Sequence, residues 1–137
     1  MIYTFSVNRK ALTFNSAYPT NKMGRRFLTR EGKEFKEEVF YEVKKQCPGF
    51  QLKEKHVLCV EYFFYSKAVV TKKGTVSKTA GDLDGQIKLL QDAMCDALGL
   101  DDSIIFEINA KKILSSKDSI TVIFRMALMD SFKAAVP

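Results

Sequence analysis

The stretch Asp82-Leu83-Asp84-Gly85-Gln86-Ile87-Lys88-Leu89-Leu90-Gln91-Asp92-Ala93-Met94-Cys95-Asp96-Ala97-Leu98-Gly99-Leu100-Asp101-Asp102-Ser103-Ile104-Ile105-Phe106-Glu107-Ile108-Asn109-Ala110 changes its apolar period midway. Ile87, Leu90, Met94 and Leu98 fall on one face of a helix expected over about residues 85–97, and Gly99 is its stop. Beyond the glycine, Ile104, Phe106, Ile108 and Ala110 alternate with period two, which reads as a strand whose apolar face the helix should cover. A helix that turns back into a strand implies layers of helix on sheet.

The flanking sequence extends that pattern. Upstream, residues 57–65 (VLCVEYFFY) are rich in β-formers and read as a buried strand, so the run from Tyr62 to Tyr65 is core rather than a base-stacking platform. Residues 66–81 (SKAVVTKKGTVSKTAG) are polar and basic, as in a loop or an irregular hairpin. Thr29 can cap a helix with Glu31 in its first turn and Phe35, Val39 and Val43 along one face, ended by Pro48-Gly49. Residues 2–7 alternate as a first strand, and residues 8–28 are irregular, with turn formers at Asn15, Ser16, Pro19, Asn21 and Gly24. Downstream, residues 114–118 turn the chain into a returning strand through Ile120, Val122, Phe124 and Met126. The order β-α-β-α-β-β predicts an α/β (α+β) fold: one domain over 1–137, with a mixed sheet, helices packed on a face, a core over about 2–126 and a weakly specified tail at 127–137.

Composition narrows the function. An apolar fraction of 46% in 137 residues sustains a core and excludes a disordered chain. Neither a membrane-length apolar run nor a signal-peptide start is present, so the expected location is the cytoplasm of a bacterial cell or a phage-infected host. Cys47, Cys59 and Cys95 are odd in number and far apart, which speaks against a disulfide framework or a zinc site. His56 is the only histidine, at a strand entrance, and its isolation disfavours histidine-based nucleases and hydrolases.

The net charge of +6 is unevenly laid out. Residues 1–36 hold eight basic side chains, among them Lys22, Arg25 and Arg26, against two acids. Residues 66–81 hold Lys67, Lys72, Lys73 and Lys78 with no acid, and residues 82–107 then hold seven acids against Lys88 alone. A plain nucleic-acid binder gains nothing from that acidic block, whereas a metal-dependent nuclease needs both signs. Lys22, Arg25, Arg26, Lys72, Lys73 and Lys78 are therefore the expected DNA-binding residues.

Asp82 and Asp84 flank one residue, so in extended chain their carboxylates leave the same side and offer the hard oxygens that Mg²⁺ takes. Asp84 stands where a helix N-cap belongs, with Lys88 one turn beyond it on the same face. A helix over residues 85–97 runs roughly 18 Å and five returning residues cover roughly 16 Å, so Asp102 can be delivered near the helix start. Asp92 lies about 12 Å along the helix from Asp84, which suits holding Lys88 rather than a metal. Singly, each residue has a plain structural account: Asp84 as a cap, Lys88 and Asp92 as a surface pair, Asp96 and Asp101-Asp102 as solvated positions.

Together, Asp82, Asp84, Lys88, Asp92 and Asp101-Asp102 resemble the RusA-type Holliday-junction resolvases, whose signature is Asp-x-Asp-Asn-x-x-Lys, then an Asp-Ala-Leu-like helix, then an Asp-Asp pair before a strand. The similarity runs from Ile2 to about Arg125 and includes residues 15–21 and Thr29-Arg30-Glu31-Gly32. Gly85 replaces the usual Asn, removing a polar side chain from the expected metal site. The resemblance implies metal ligation by Asp82, Asp84 and Asp102, an essential Lys88, and in-line hydrolysis that leaves a 5′-phosphate. It also implies Mg²⁺, with Mn²⁺ substituting. The two-fold symmetry of a four-way junction, which needs paired cuts, predicts a homodimer. A module that binds branched or double-stranded DNA without cutting it stays open as an alternative, as does a nuclease acting on flaps or forks. A haloacid dehalogenase-type phosphatase is excluded because Ser77-Lys78-Thr79-Ala80-Gly81, not a buried apolar strand, precedes Asp82. An EF-hand fails because loop positions 6 and 12 would be Ile87 and Ala93.

Overall fold

In the computed structural model, which describes residues 1–78 and 81–135, the chain forms a four-stranded mixed sheet with its helices packed on one face. The strands are β1 (Ile2–Val7), β2 (His56–Ser66), β3 (Ile105–Leu114) and β4 (Ser119–Leu128), in the spatial order β1-β4-β2-β3. The α-helices are α1 (Phe14–Ala17), α2 (Arg30–Gln46) and α3 (Leu83–Leu98). Among the described residues no helix is long and apolar enough to cross a membrane.

α2 follows its sequence closely. The Thr29 hydroxyl accepts from Gly32 N at 3.0 Å, and Phe35, Val39 and Val43 are buried against the sheet. The sheet side of this core is the inward parity of three strands: Phe5 and Val7, then Leu58, Val60, Tyr62 and Phe64, then Ile120, Val122 and Phe124. In β2 to β3 the chain makes a β-α-β unit around α3, which gives the parallel pair, while β4 lies antiparallel to both β1 and β2. β4 does not return beside β3. The link between them crosses the end of β2, where Ser66 O accepts from Ser115 N at 3.2 Å and the Ser66 hydroxyl donates to Asp118 Oδ1 at 2.8 Å.

Three expectations are corrected. First, the cap of α3 is Asp82 and not Asp84, because the helix starts two residues earlier and places Asp84 inside its first turn. Second, the apolar face of α3 is rotated. Leu89, Leu90, Ala93 and Met94 are buried, whereas Ile87 and Leu98 are half-buried at the edge, because α3 packs against α2 as well as the sheet. Third, the parity of Ile104, Phe106, Ile108 and Ala110 breaks. Asp102–Ile104 is a 3₁₀ turn, and Ile105 pairs with Leu58 while Glu107 pairs with Cys59, leaving Phe106 as the extra residue of a bulge. Phe106 meets the Phe132 ring edge-on at 5.5 Å, on the outer strand of the sheet. At 48% and 46% exposure, Phe106 and Ile108 are not covered by the helix.

The basic stretch after β2 is an irregular hairpin in its described part. A 3₁₀ turn at Lys67–Val69 leads to a bridge between Val70 and Val76, closed by Thr71 N to Thr75 O at 2.7 Å. Residues 79–80 of that stretch, and residues 136–137 of the tail, lie outside the described residues. The rest of the tail continues β4 to Leu128 and closes in a 3₁₀ turn at Met129–Phe132.

Candidate nuclease site

Asp82 has the extended backbone of an N-cap, and its carbonyl accepts from Gln86 N at 3.1 Å, yet its carboxylate makes no capping hydrogen bond. A capping Asp ordinarily spends an oxygen on the helix N–H groups. This one leaves its oxygens for another partner. Asp84, also exposed, accepts from the neighbouring Gly85 N at 3.0 Å. Both carboxylates line one cleft of about 270 Å³ with Lys78, Thr13, Asn15, Gly81 and Gly85. Thr13 and Gly81 also form the common wall with a second cleft of about 320 Å³, which contains Arg9, Lys10, Ser16 and Glu31.

The two glycines on either side of the acidic pair differ. Gly81 has φ +91°, and its carbonyl accepts from Lys112 Nζ on β3. Gly85 is an ordinary helical residue, where an added β-carbon would stand 3.4 Å from Thr13 Cβ. The helical backbone there does not require glycine, and a β-carbon would meet only van der Waals contact.

Asp102 opens the 3₁₀ turn that follows α3. Its charge adds to the upward shifts of the Asp92 carboxyl and the Cys95 thiol on that helix. Among the described residues no group of three or more acidic, histidine or cysteine side chains is gathered tightly enough to hold a metal by itself. Asp82 and Asp84 are thus brought to one cleft, and Asp102 is not among the residues that line it. Asp101 is engaged locally: its carboxylate accepts from Ser103 N at 2.8 Å, and that bond holds its carboxyl below the ordinary range. Asp102 makes no such cap.

Asp92 is half-buried, and burial raises its carboxyl above the ordinary range; Lys88 and Lys36 oppose the shift while Asp102 and Asp96 add to it. Burial, reinforced by the same acids, pushes the Cys95 thiol up to about 12. The expected pair between Lys88 and Asp92 is not closed to ion-pair distance. Instead the Lys88 ammonium lies over the Phe14 ring, 4.9 Å from its centre. Asp96 is exposed, as expected, and Lys36 reaches it at 3.9 Å.

Of the expected DNA-binding residues, Lys72 and Lys73 are exposed at the hairpin turn, and Lys78 lines the carboxylate cleft. Lys22 and Arg25 are exposed in the turn that Asn21 organises, its Oδ1 accepting from Met23 N and Arg25 N. Arg26, also exposed, is held locally, donating to Asn15 Oδ1 at 3.4 Å and Tyr18 O at 3.3 Å, with its guanidinium 5.5 Å from the Phe14 ring centre. His56 holds a local contact, Nδ1 to Glu54 O at 2.8 Å, as a structural histidine would. Sequence reasoning missed α1 as a wall of the site. The i, i+4 spacing of Phe14 and Tyr18, whose rings lie 4.9 Å apart, was the available signal.

The family model for endodeoxyribonuclease RusA matches residues 11–125, from the lead into α1 through most of β4. The chain belongs to the RusA endodeoxyribonuclease family. Among curated proteins no relative of the chain is found. Membership makes this RusA-family chain an endonuclease of DNA, in a family whose activity is the resolution of Holliday junctions. All of α1, α2, α3 and β3 lie inside the matched span, as does every residue of the cleft that holds Asp82 and Asp84.

Proposed function

We propose that this RusA-family protein resolves four-way DNA junctions by metal-dependent hydrolysis, as a homodimer making paired cuts in opposing strands. The observation that carries the reading is the release of Asp82 from capping, which leaves two exposed carboxylates, Asp82 and Asp84, on one cleft beside Lys78. Mg²⁺ is commonly held by one or two carboxylates with waters and substrate phosphate completing its shell, and this donor set suits that habit. Asp102 would complete the metal site, since it is the member of the acidic pair whose carboxylate is not used for capping. Mn²⁺ would substitute, being served by the same oxygen donors.

A bound Mg²⁺ supplies charge neutralisation at the scissile phosphate and a water acidic enough to attack it. Lys88 stabilises the negative charge that grows on the phosphate as the bond to the leaving oxygen breaks. Lys72, Lys73 and Lys78, together with Lys22, Arg25 and Arg26, hold the backbone of the branched strands and fix which phosphate meets the carboxylates. Each chain carries one such set, so a two-fold dimer matches the two-fold junction. The setting of such a reaction is the cytoplasm of a bacterial cell or an infected host, in DNA recombination and repair.

The test is a labelled four-way junction incubated with Mg²⁺, beside flap, fork and linear duplex substrates. Paired cuts at the junction, lost in Asp82→Asn and Asp84→Asn while binding persists, are the expected result. Binding without any cut across Mg²⁺ and Mn²⁺ would make the protein a junction-binding module, and preferential cutting of flaps would change its substrate. Sedimentation showing a monomer with and without junction DNA would overturn the dimer.

A further inference from the structure

We propose that Phe14 is a positioning residue of the cleavage apparatus, its ring holding the Lys88 ammonium where the scissile phosphate arrives. The inference rests on the catalytic reading of Lys88. Lys88 is exposed on α3, and a free lysine stem of this kind samples many rotamers. A charge that must act on one phosphate is useful only when it is held in place beforehand. The carboxylate one turn along, Asp92, does not close an ion pair with it, whereas the Phe14 ring centre is 4.9 Å from Nζ, well within cation–π range.

A ring suits this task better than a carboxylate does. It attracts the ammonium through its negative face without cancelling the charge. The amine is steered, and the N–H bonds turned away from the ring remain for phosphate oxygens. A tight Asp92 partner would compete with the phosphate for the same donors.

Phe14 is itself fixed. α1 is capped by Thr13, whose Oγ1 accepts from Ser16 N at 3.2 Å, and the Tyr18 ring packs 4.9 Å from that of Phe14. Ala17 is fully buried and docks on α2 at Gly32, where an added β-carbon would stand 2.7 Å from Ala17 Cβ. Through Ala17 and Gly32 the single turn of α1 is locked to the helix layer, so the ring is set relative to α3. Thr13 on the same turn faces the cleft of Asp82 and Asp84, which ties the ring to the carboxylates. Arg26 shares the ring and is pinned by Asn15 and Tyr18, so the same device also draws a second cation toward the cleft.

Two measurements decide the proposal. In the free wild-type protein, the Lys88 ε-methylene resonances, identified by their loss in Lys88→Ala, should be displaced upfield by the ring. They should return to the ordinary lysine position in Phe14→Leu and stay displaced in Phe14→Tyr. In single-turnover cleavage, Phe14→Leu should slow the cut about fivefold with junction affinity unchanged, Phe14→Tyr should restore it, and Phe14→Leu should add nothing in a Lys88→Ala background. Undisplaced Lys88 resonances in the wild type would overturn the proposal, even if Phe14→Leu failed to fold. Equal slowing by Phe14→Leu with and without Lys88 would overturn it as well. If the wild type cut no junction, the nuclease reading would fall, and the resonance shift would still decide whether Phe14 holds Lys88.

Discussion

Gly81 and Thr13 approach so closely that a β-carbon on the glycine would lie 2.8 Å from Thr13 Cγ2. The two residues come from distant parts of the chain and form the shared wall of both clefts. With φ +91°, Gly81 also holds a backbone shape that side chains other than hydrogen strongly disfavour. Gly81→Ala should therefore cost roughly 1–3 kcal/mol of stability and lower cleavage, read from denaturant midpoints and single-turnover rates. Gly85→Ala, on the other flank of the acidic pair, should instead gain roughly 0.5–1 kcal/mol, because it removes a helical glycine where a β-carbon has room. A stabilised Gly81→Ala would show that the wall relaxes freely.

Replacing Lys72, Lys73 and Lys78 together by Ala should weaken binding about equally across DNA sequences. Each lost duplex phosphate contact should also reduce the steepness of log K against log salt by about 0.9. An unchanged slope would mean that the hairpin and the mouth of the cleft do not touch DNA.

The acidic pair before β3 should divide its roles. Asp101 accepts from Ser103 N at 2.8 Å, a bond that an Asn oxygen can also accept, so Asp101→Asn should keep substantial cleavage. Asp102→Asn should lose about a hundredfold or more in cleavage rate while junction binding persists or tightens. The reverse pattern in rates of the two variants would move the proposed ligand to Asp101.

Asp92 offers a test by pH. Its folded-state carboxyl is raised above the unfolded value, chiefly by burial, so the folded protein takes up the proton more readily. The sign follows from linkage: the native state is favoured below the unfolded pKa, and that advantage is lost as pH rises through the raised native value. Asp92→Asn should accordingly stabilise the protein at neutral pH, with the gap closing as pH falls through the carboxylate range. Thermal melts of both proteins between pH 3 and 7 measure it, and a gap that widens toward acid would contradict the assignment.

Much of the layered architecture and the acidic stretch could be read along the chain, because burial and charge leave local patterns. Phe35, Val39 and Val43 recur at helical spacing and are buried, and Thr29 caps its helix as its side chain allows. Gly99 ends α3 in the left-handed conformation that its missing β-carbon permits. The residues that failed this reading are those whose surroundings are supplied from elsewhere. The parity of β3 depends on a bulge opposite Leu58 and Cys59 in another strand. The cap of α3 moved to Asp82 because the helix starts where the chain leaves Gly81, which is packed against Thr13.

By itself, then, the sequence determined which residues are apolar at which period, where charge concentrates, and which acids stand at a spacing that resembles RusA. Those are properties of nearest neighbours along the chain, fixed before folding. The tertiary structure alone decided that β4 lies between β1 and β2, that Asp82 and Asp84 share a cleft with Thr13, and that Lys88 meets Phe14 rather than Asp92. Each of these joins segments far apart in the chain, and such contacts are selected by the packing of one layer on another, where no local period carries their record.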